Sequence, residues 1–255
     1  MCRGIMRFLL LKFDRFAANL YWFAMSVFLL IVLAWLSWQS LTLSDFHYSF
    51  WYDWLEIKQH IVLYGPQNRH YLGLELLTTS QHVALFGQIV AAIHQHGQGL
   101  AEITFYNGAM LQPLLTPAEI THLQDVANLI DVATAVAYGS MFFLIVLMGY
   151  PRLLKRSYPH FYFKAVCRFY LITLFTLGLF LILIGPKAVF YWFHTLVFPD
   201  GHQWFFYYQD SLMTTLMKAP DLFGAIAIAL VFYVMVIGGL FVLLIKGVMK
   251  INSNI

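Results

Sequence analysis

The sequence predicts an all-α membrane protein: four transmembrane helices, a small helical extracytoplasmic cap, and both termini cytoplasmic. Three observations carry this expectation. The 255-residue chain is 61% hydrophobic and 11% charged, whereas a soluble domain carries about 25% charged residues. Four runs are apolar over the roughly 20 residues that a bilayer crossing requires. Lysine and arginine are spread unevenly over the segments between those runs. The whole chain, 1–255, reads as a single integral membrane domain.

The four runs justify the spans in order. Leu20 to Trp38 and Val132 to Tyr150 contain no charged residue, and Phe169 to Pro186 is the third. Leu222 to Ile245 is the fourth, with Gly224, Gly238 and Gly239 as small residues that would let neighbouring helices approach. Of the fifteen basic residues, eleven fall on one side of this layout: Arg3, Arg7, Lys12 and Arg15; Arg152, Lys155, Arg156, Lys164 and Arg168; Lys246 and Lys250. Lys58, Arg69, Lys187 and Lys218 fall on the other. The positive-inside rule then puts both termini in the cytoplasm. Almost all acids and histidines are placed outside. The basic residues before the first span resemble a signal sequence. That span is too long for a typical signal core and contains no small-x-small site, so it reads as an uncleaved anchor. Cys2 and Cys167 fall on the cytoplasmic side, with no spacing suited to a disulfide framework or a CxxC site.

Two outer segments follow, about residues 39–131 and 187–221. In the first, SDFHYSFWYDWLEIKQHIVLY reads as a helix with Ser44 as its N-cap, ending near Gly65-Pro66. TTSQHVALFGQIVAAIHQHG starts near Ser80 and places Val83, Phe86, Val90 and Ile93 at helical spacing. It stops at Gly97. Both are apolar and aromatic enough to lie at the membrane interface. Trp35, Trp38, Trp51, Trp54, Trp192 and Trp204 form an aromatic belt on this side.

TPAEITHLQDV, from Thr116, carries a helix start. Thr116 can cap, Pro117 suits the first helical position, and Glu119 can close a capping box. His122 then stands near the beginning of a helix leading into the second span. Asp125 lies three residues on, on the same face, and can accept from one ring nitrogen of His122. On a straight helix His122 would stand about 15 Å above the start of the span, so the helix must bend or lie over to reach a lipid. His194 sits in FYWFHTLVF, where Phe190, Tyr191, Trp192, Phe193 and Phe198 would partly desolvate the imidazole and favour its neutral form. Taken singly, either histidine reads most simply as an amphipathic side chain at an interface.

Taken together they carry a resemblance. A Pro-x-Glu-x-x-His-x-x-Asp-Val run precedes the second span. Phe-His, an aromatic residue, a Trp, an Asp-x-Leu and a Pro precede the last span. This arrangement resembles the bacterial lipoprotein intramolecular transacylases, four-span membrane proteins. The matching residues are Glu119, His122, Asp125, Val126, Phe193, His194, Phe198, Trp204, Asp210, Leu212 and Pro220, and the separation of the two histidines agrees as well. The resemblance covers mainly 116–221.

The resemblance implies an acyltransferase that needs no cofactor and sits in the bacterial cytoplasmic (inner) membrane as a multi-pass protein, with its active site on the extracytoplasmic face. The sn-2 acyl chain of a lipoprotein's diacylglyceryl group moves to the α-amino group of its N-terminal cysteine, giving the lyso-form. The partners implied are a diacylated lipoprotein substrate and membrane lipids, with no nucleic acid. On this basis His122, oriented by Asp125, is the general base towards the amine. His194 polarises the ester carbonyl and helps protonate the leaving oxygen. The sequence is equally compatible with the roles exchanged. Trp204, Asp210 and Arg69 are expected to contact substrate: Trp204 as an interface anchor, Asp210 as a helix cap, Arg69 against a head group.

Other classes compete less well. A metal site could draw on His94, His96, His122, His194 and His202, but HExxH is absent and the His94–His96 spacing does not suit one helix face. No span carries a central histidine for haem. The spans hold no ionisable residue to mark a transport path. A non-catalytic assembly factor or sensor would account for the aromatic outer surface, but not for both histidines at the family's positions.

Overall fold

In a computed structural model, the chain is described over residues 2–155 and 163–252. The side chains of Cys2, Cys167, Arg152, Arg156, Lys164 and the basic residues near both chain ends lie outside the described residues. The helices are α1 (Cys2–Thr42), α2 (Tyr48–Trp54), α3 (Ile57–Tyr64), α4 (Thr79–His94), α5 (Pro117–Leu153), α6 (Phe163–Ile184), α7 (Pro186–Val197), α8 (Leu212–Met217) and α9 (Asp221–Asn252), with strands β1 (Thr104–Tyr106) and β2 (Leu111–Pro113). Among the described residues three helices are long and apolar enough to cross a membrane: Phe16–Thr42, Pro117–Pro151 and Asp221–Phe241. A fourth crossing arises if Tyr170–Ile184 and Lys187–Val197, which meet at 104°, form one broken span. α6 stops where the third expected run, Phe169 to Pro186, stops. It ends at Gly185, whose φ of 86° is ready for a residue without a Cβ, and Pro186 starts the next helix.

The chain packs as two compact units. The first takes residues up to Val32 with Ala135–Val197. Here α1 and α5 lie side by side. Tyr21 donates its hydroxyl to the Leu147 carbonyl at 2.7 Å, and Phe28 stacks on Phe143 with centroids 5.4 Å apart. The small residues Ala18, Ala137 and Ser140 are buried, as close helix approach in a membrane requires. Large apolar side chains such as Phe142, Ile145, Phe175 and Ile182 face outward, suited to lipid.

The second unit takes Leu33–Thr134 with Phe198 onward and has a packed core of its own. Tyr48, Tyr52, Ile57 and Ile61 are buried together with Leu85, Phe86 and Ile89 of α4. Tyr48 stacks on Phe86 with centroids 4.1 Å apart. Each such burial contributes about 1.5–3 kcal/mol. The expected single helix over this stretch is two helices. Tyr52 and Ile57 are five positions apart, so at about 100° per residue an unbroken helix would turn one of them outward. Glu56, at φ 53°, resets the phase so that both pairs face the core. Ser44 does not cap the helix that follows; Asp45, Phe46 and His47 intervene with φ of 48°, 55° and 58°.

The second predicted cap helix is present as α4. Its N-cap is Thr78, whose hydroxyl accepts from the Gln81 backbone N–H while Gln81 reaches back to Thr78. The β1–β2 hairpin was not expected. It pairs Phe105 with Gln112, and its turn is closed by Asn107, whose Oδ1 accepts from Ala109 and Met110 N–H.

The C-terminal part completes this core. Tyr48 donates to the Leu216 carbonyl at 2.6 Å. Lys218 Nζ donates to the Leu55 carbonyl at 2.6 Å. Of the three glycine contacts expected on the last span, that of Gly238 is present and those of Gly224 and Gly239 are not, among the described residues. A Cβ at Gly224 or Gly239 would meet open space, and one at Gly238 would make ordinary contact with Leu33. Leu222, Ala225, Ile226 and Ala229 form its buried face instead.

Candidate active site

α5 is a 37-residue helix, about 55 Å long at 1.5 Å per residue. A hydrocarbon layer is about 30 Å thick, so the polar first turns lie beyond the apolar stretch that begins near Val132. The start of α5 is locked. Thr116 N–H donates to Glu119 Oε2 at 2.6 Å, and Thr116 Oγ1 accepts from Glu119 N–H at 3.4 Å, which is the capping box read from TPAE. The same carboxylate does more. Its Oε1 accepts the Ser211 hydroxyl at 2.5 Å and the Met213 N–H at 3.3 Å, while Ser211 itself caps α8 through Thr214 N–H at 2.8 Å. Glu119 thus binds orphan amides of two helices. It is 0% exposed, and burial pushes its carboxyl above the ordinary range, opposed by the hydroxyl and amide donors.

One turn further on, His122 packs between phenylalanines. Its ring centroid lies 4.9 Å from Phe198, edge-on, and 5.9 Å from Phe206. Both phenylalanines are buried. Asp125 follows on the same face. Its Oδ2 lies 2.7 Å from Nδ1 of His202. A carboxylate only accepts, so Nδ1 of His202 carries the proton. The spacing predicts Asp125 against His122, whereas the structure bonds it to His202, which the sequence offers only as a candidate metal ligand. The His202–Asp125 pair joins residues 77 positions apart, and no local pattern announces it. The tight turn that brings it about was visible as Pro199-Asp200-Gly201, with His202 N–H donating to the Pro199 carbonyl and Gly201 at φ 87°.

Two of the expected binding residues meet each other. Arg69 Nη1 donates to Asp210 Oδ1 at 3.0 Å, and Arg69 N–H donates to the Gln209 carbonyl at 2.8 Å. Asp210 therefore holds Arg69, and the neighbouring Ser211 is the residue that caps a helix. Trp204 is half-buried, with its ring edge-on to Phe205 at 6.2 Å.

His194 lies on α7 in the other unit. Its Nδ1 is 2.8 Å from the Phe190 carbonyl, so Nδ1 carries the proton and Nε2 offers the lone pair. The Phe190 ring lies 3.9 Å and the Phe193 ring 5.6 Å from the imidazole, the aromatic setting the sequence suggested.

Three further histidines are hydrogen-bonded within the second unit. His94 Nδ1 donates to the Val90 carbonyl, and Nε2 accepts from Trp38 at 2.9 Å. His96 faces Asp131 at 2.8 Å. His82 donates to the Leu74 carbonyl and accepts from the Tyr52 hydroxyl at 2.7 Å; burial lowers its pKa. Among the described residues no three His, Cys, Asp or Glu side chains gather as a metal ion would need.

A family model described as lipoprotein intramolecular transacylase Lit matches residues 21–220. No curated protein matches the sequence. Among solved structures, the chain is similar to a variant of the membrane integral lipoprotein intramolecular transacylase Lit from Bacillus cereus, solved in meso. The TM-score is 0.59 at 14% identity, over 98% of this chain and 99% of that one. A second structure of the Bacillus cereus protein gives 0.58 at 19% identity, over 94% and 99%. At these identities the likeness speaks for the fold, whereas the family match runs through the capped start of α5 and through both histidines. The chain is a member of the lipoprotein intramolecular transacylase Lit family, a family of acyltransferases.

Proposed function

We propose that this protein moves the sn-2 acyl chain of a lipoprotein's diacylglyceryl group onto the α-amino group of the same molecule's N-terminal cysteine, at the extracytoplasmic face of the bacterial cytoplasmic membrane. Donor and acceptor belong to one molecule, so the catalytic task is to hold amine and ester carbonyl in reacting geometry. The placement of eleven basic residues on the side of both termini favours an outward-facing site.

Two protons have to move. An α-amine is largely protonated near neutral pH, since its ordinary pKa is about 7.7–8.0. His122 removes the first proton and frees the lone pair. Nitrogen then bonds to the ester carbon, leaving a tetrahedral intermediate with a positive nitrogen. His194 takes the second proton at Nε2 and returns it to the glycerol oxygen as the carbon–oxygen bond breaks. The products are an amide, an alcohol and one proton released. The hydrogen bond from His194 Nδ1 to the Phe190 carbonyl supports this division, because it gives Nε2 the acceptor role first and the donor role second. Arg69, steadied by Asp210, and Trp204 contact the polar region of the substrate.

The observation that carries the reading is the family match across a segment in which His122 is set among Phe198 and Phe206 on a helix start locked by Glu119. The test is expression in a host whose lipoproteins stop at the diacyl, free-amine form, followed by mass analysis of one lipoprotein's N-terminal peptide. Lyso-form peptide is expected with the wild type and absent with His122→Ala or His194→Ala at equal membrane abundance. Lyso-form product from both variants would exclude the scheme.

A further inference from the structure

We infer that His202 is a positioning residue: by binding Asp125 it straps the Phe198–Phe206 segment against the His122 ring. The inference rests on the reading of His122 as the base of the proposed acyl transfer. Residues 198–207 form no helix or strand, and ordering irregular backbone costs conformational entropy at every residue. Both ends of the segment nevertheless reach one imidazole. The Phe198 ring lies 4.9 Å and the Phe206 ring 5.9 Å from that of His122, and the two phenylalanines are 8% and 7% exposed. Such a segment needs an anchor on the helix it covers.

His202 supplies that anchor from the middle of the segment. The turn at Pro199-Asp200-Gly201 is closed by His202 N–H on the Pro199 carbonyl at 3.2 Å. Nδ1–H of His202 then reaches Asp125 Oδ2 on α5 at 2.7 Å. Asp125 is three residues after His122, so the anchor point and the covered ring share one helix face, a turn apart. The Asp125 side chain is 10% exposed and that of His202 41%. A carboxylate so far out of water is costly unless it is bonded, which favours the His202 bond over solvent. The His96–Asp131 pair on the same helix makes a useful contrast. It has the same kind of bond, but its side chains are 71% and 41% exposed, and water competes for both partners. The anchor asks only for a donor at the Nδ1 position, and no proton changes hands. His202 therefore acts through the segment it holds and not on substrate. With the strap in place, two phenyl rings shield the His122 imidazole from water and limit how it turns.

The test uses the full-length protein in detergent. Diethyl pyrocarbonate acylates accessible imidazoles, and peptide mass analysis gives the initial rate at each histidine. A parallel assay follows lyso-form product from a diacylated lipopeptide. Wild type is compared with His202→Ala, His202→Asn and His96→Ala. Asparagine places its Nδ2 where the imidazole has Nδ1, so it keeps a donor for Asp125. In wild type His122 should react well below the rate of the exposed His96. In His202→Ala its modification should rise, and product formation should fall about tenfold, the low end of what losing a hydrogen bond to a charged group costs. His202→Asn should keep both close to wild type, and His96→Ala should change neither. A wild type whose His122 reacts as fast as His96 would overturn the strap without recourse to any variant. So would His202→Ala with His122 still protected or with its rate intact, and so would His202→Asn faring no better than His202→Ala. Protection is read without turnover, so an inactive wild type counts against the acyl-transfer reading alone.

Discussion

Ser211 donates its hydroxyl to Oε1 of Glu119 across 2.5 Å although the two residues are 92 positions apart. That bond fastens the first turn of α5 to the first turn of α8, and His122 rides one turn above it.

Glu119→Gln is expected to be costly. The amide can keep one oxygen as an acceptor, but its nitrogen then faces a backbone N–H on one side of the clamp. Leaving a buried donor unsatisfied costs about 1–3 kcal/mol. Thermal unfolding in detergent should show a lower midpoint, with Ser211→Ala losing about 1 kcal/mol as a cap deletion. A Gln variant as stable as wild type would mean the clamp is not held by charge.

His60 provides a pH prediction. It is 8% exposed, between Tyr64 and Tyr208 at 4.6 and 4.4 Å. Burial, then the nearby Lys218 charge, lowers its pKa from 6.5 to about 4. The folded protein therefore keeps His60 neutral, while the unfolded chain protonates it near 6.5. Stability from this residue is complete above pH 6.5 and is lost as the pH falls towards 4. Denaturation midpoints measured across that window should fall in wild type and flatten in His60→Phe.

Gly97→Ala should destabilise the turn after α4. Gly97 has φ 81°, and a Cβ would lie 2.0 Å from Gln124 Oε1. Gln124 would have to release the His96 carbonyl it now holds at 3.0 Å. The left-handed backbone alone costs about 1–3 kcal/mol for a residue with a side chain, readable as a shift in the unfolding midpoint.

Phe198→Ala removes the ring that meets His122 edge-on. An aromatic pair of this kind is worth about 1 kcal/mol, or roughly fivefold in rate if the contact persists in the transition state. The rate with lipopeptide should fall by that order while membrane abundance holds.

Asp125→Asn keeps an oxygen that accepts from His202 but loses the charge. It should slow turnover less than His122→Ala does, and an unchanged rate would remove Asp125 from the chemistry.

Periodicity and capping made much of this legible. The TPAE start of α5, the amphipathic α4, and three long apolar helices follow from local sequence, because each depends on neighbours within a turn or two. The features that were not legible depend on distant partners. The break at Glu56 exists because Tyr52 and Ile57 share one core with α4. The hairpin has only three-residue strands, too short for an alternating pattern, although Asn107-Gly108 marks its turn. The 104° turn between α6 and α7 joins two apolar stretches, and the composition of neither states the angle at which they meet. Asp125 has two histidines within the reach of its chemistry, one three residues away and one 77 away, and only the tertiary structure reveals the distant bond.

The bonds from Tyr48 to the Leu216 carbonyl, from Arg69 to the Gln209 carbonyl, and from Lys218 to the Leu55 carbonyl have a consequence for biosynthesis. Each joins an early residue to one made much later, so the second unit remains unfinished while the intervening helices are made. Its aromatic interior is sealed only after translation has passed Lys218. A ribosome halted before that point would leave an open, sticky shell that quality-control proteases can recognise.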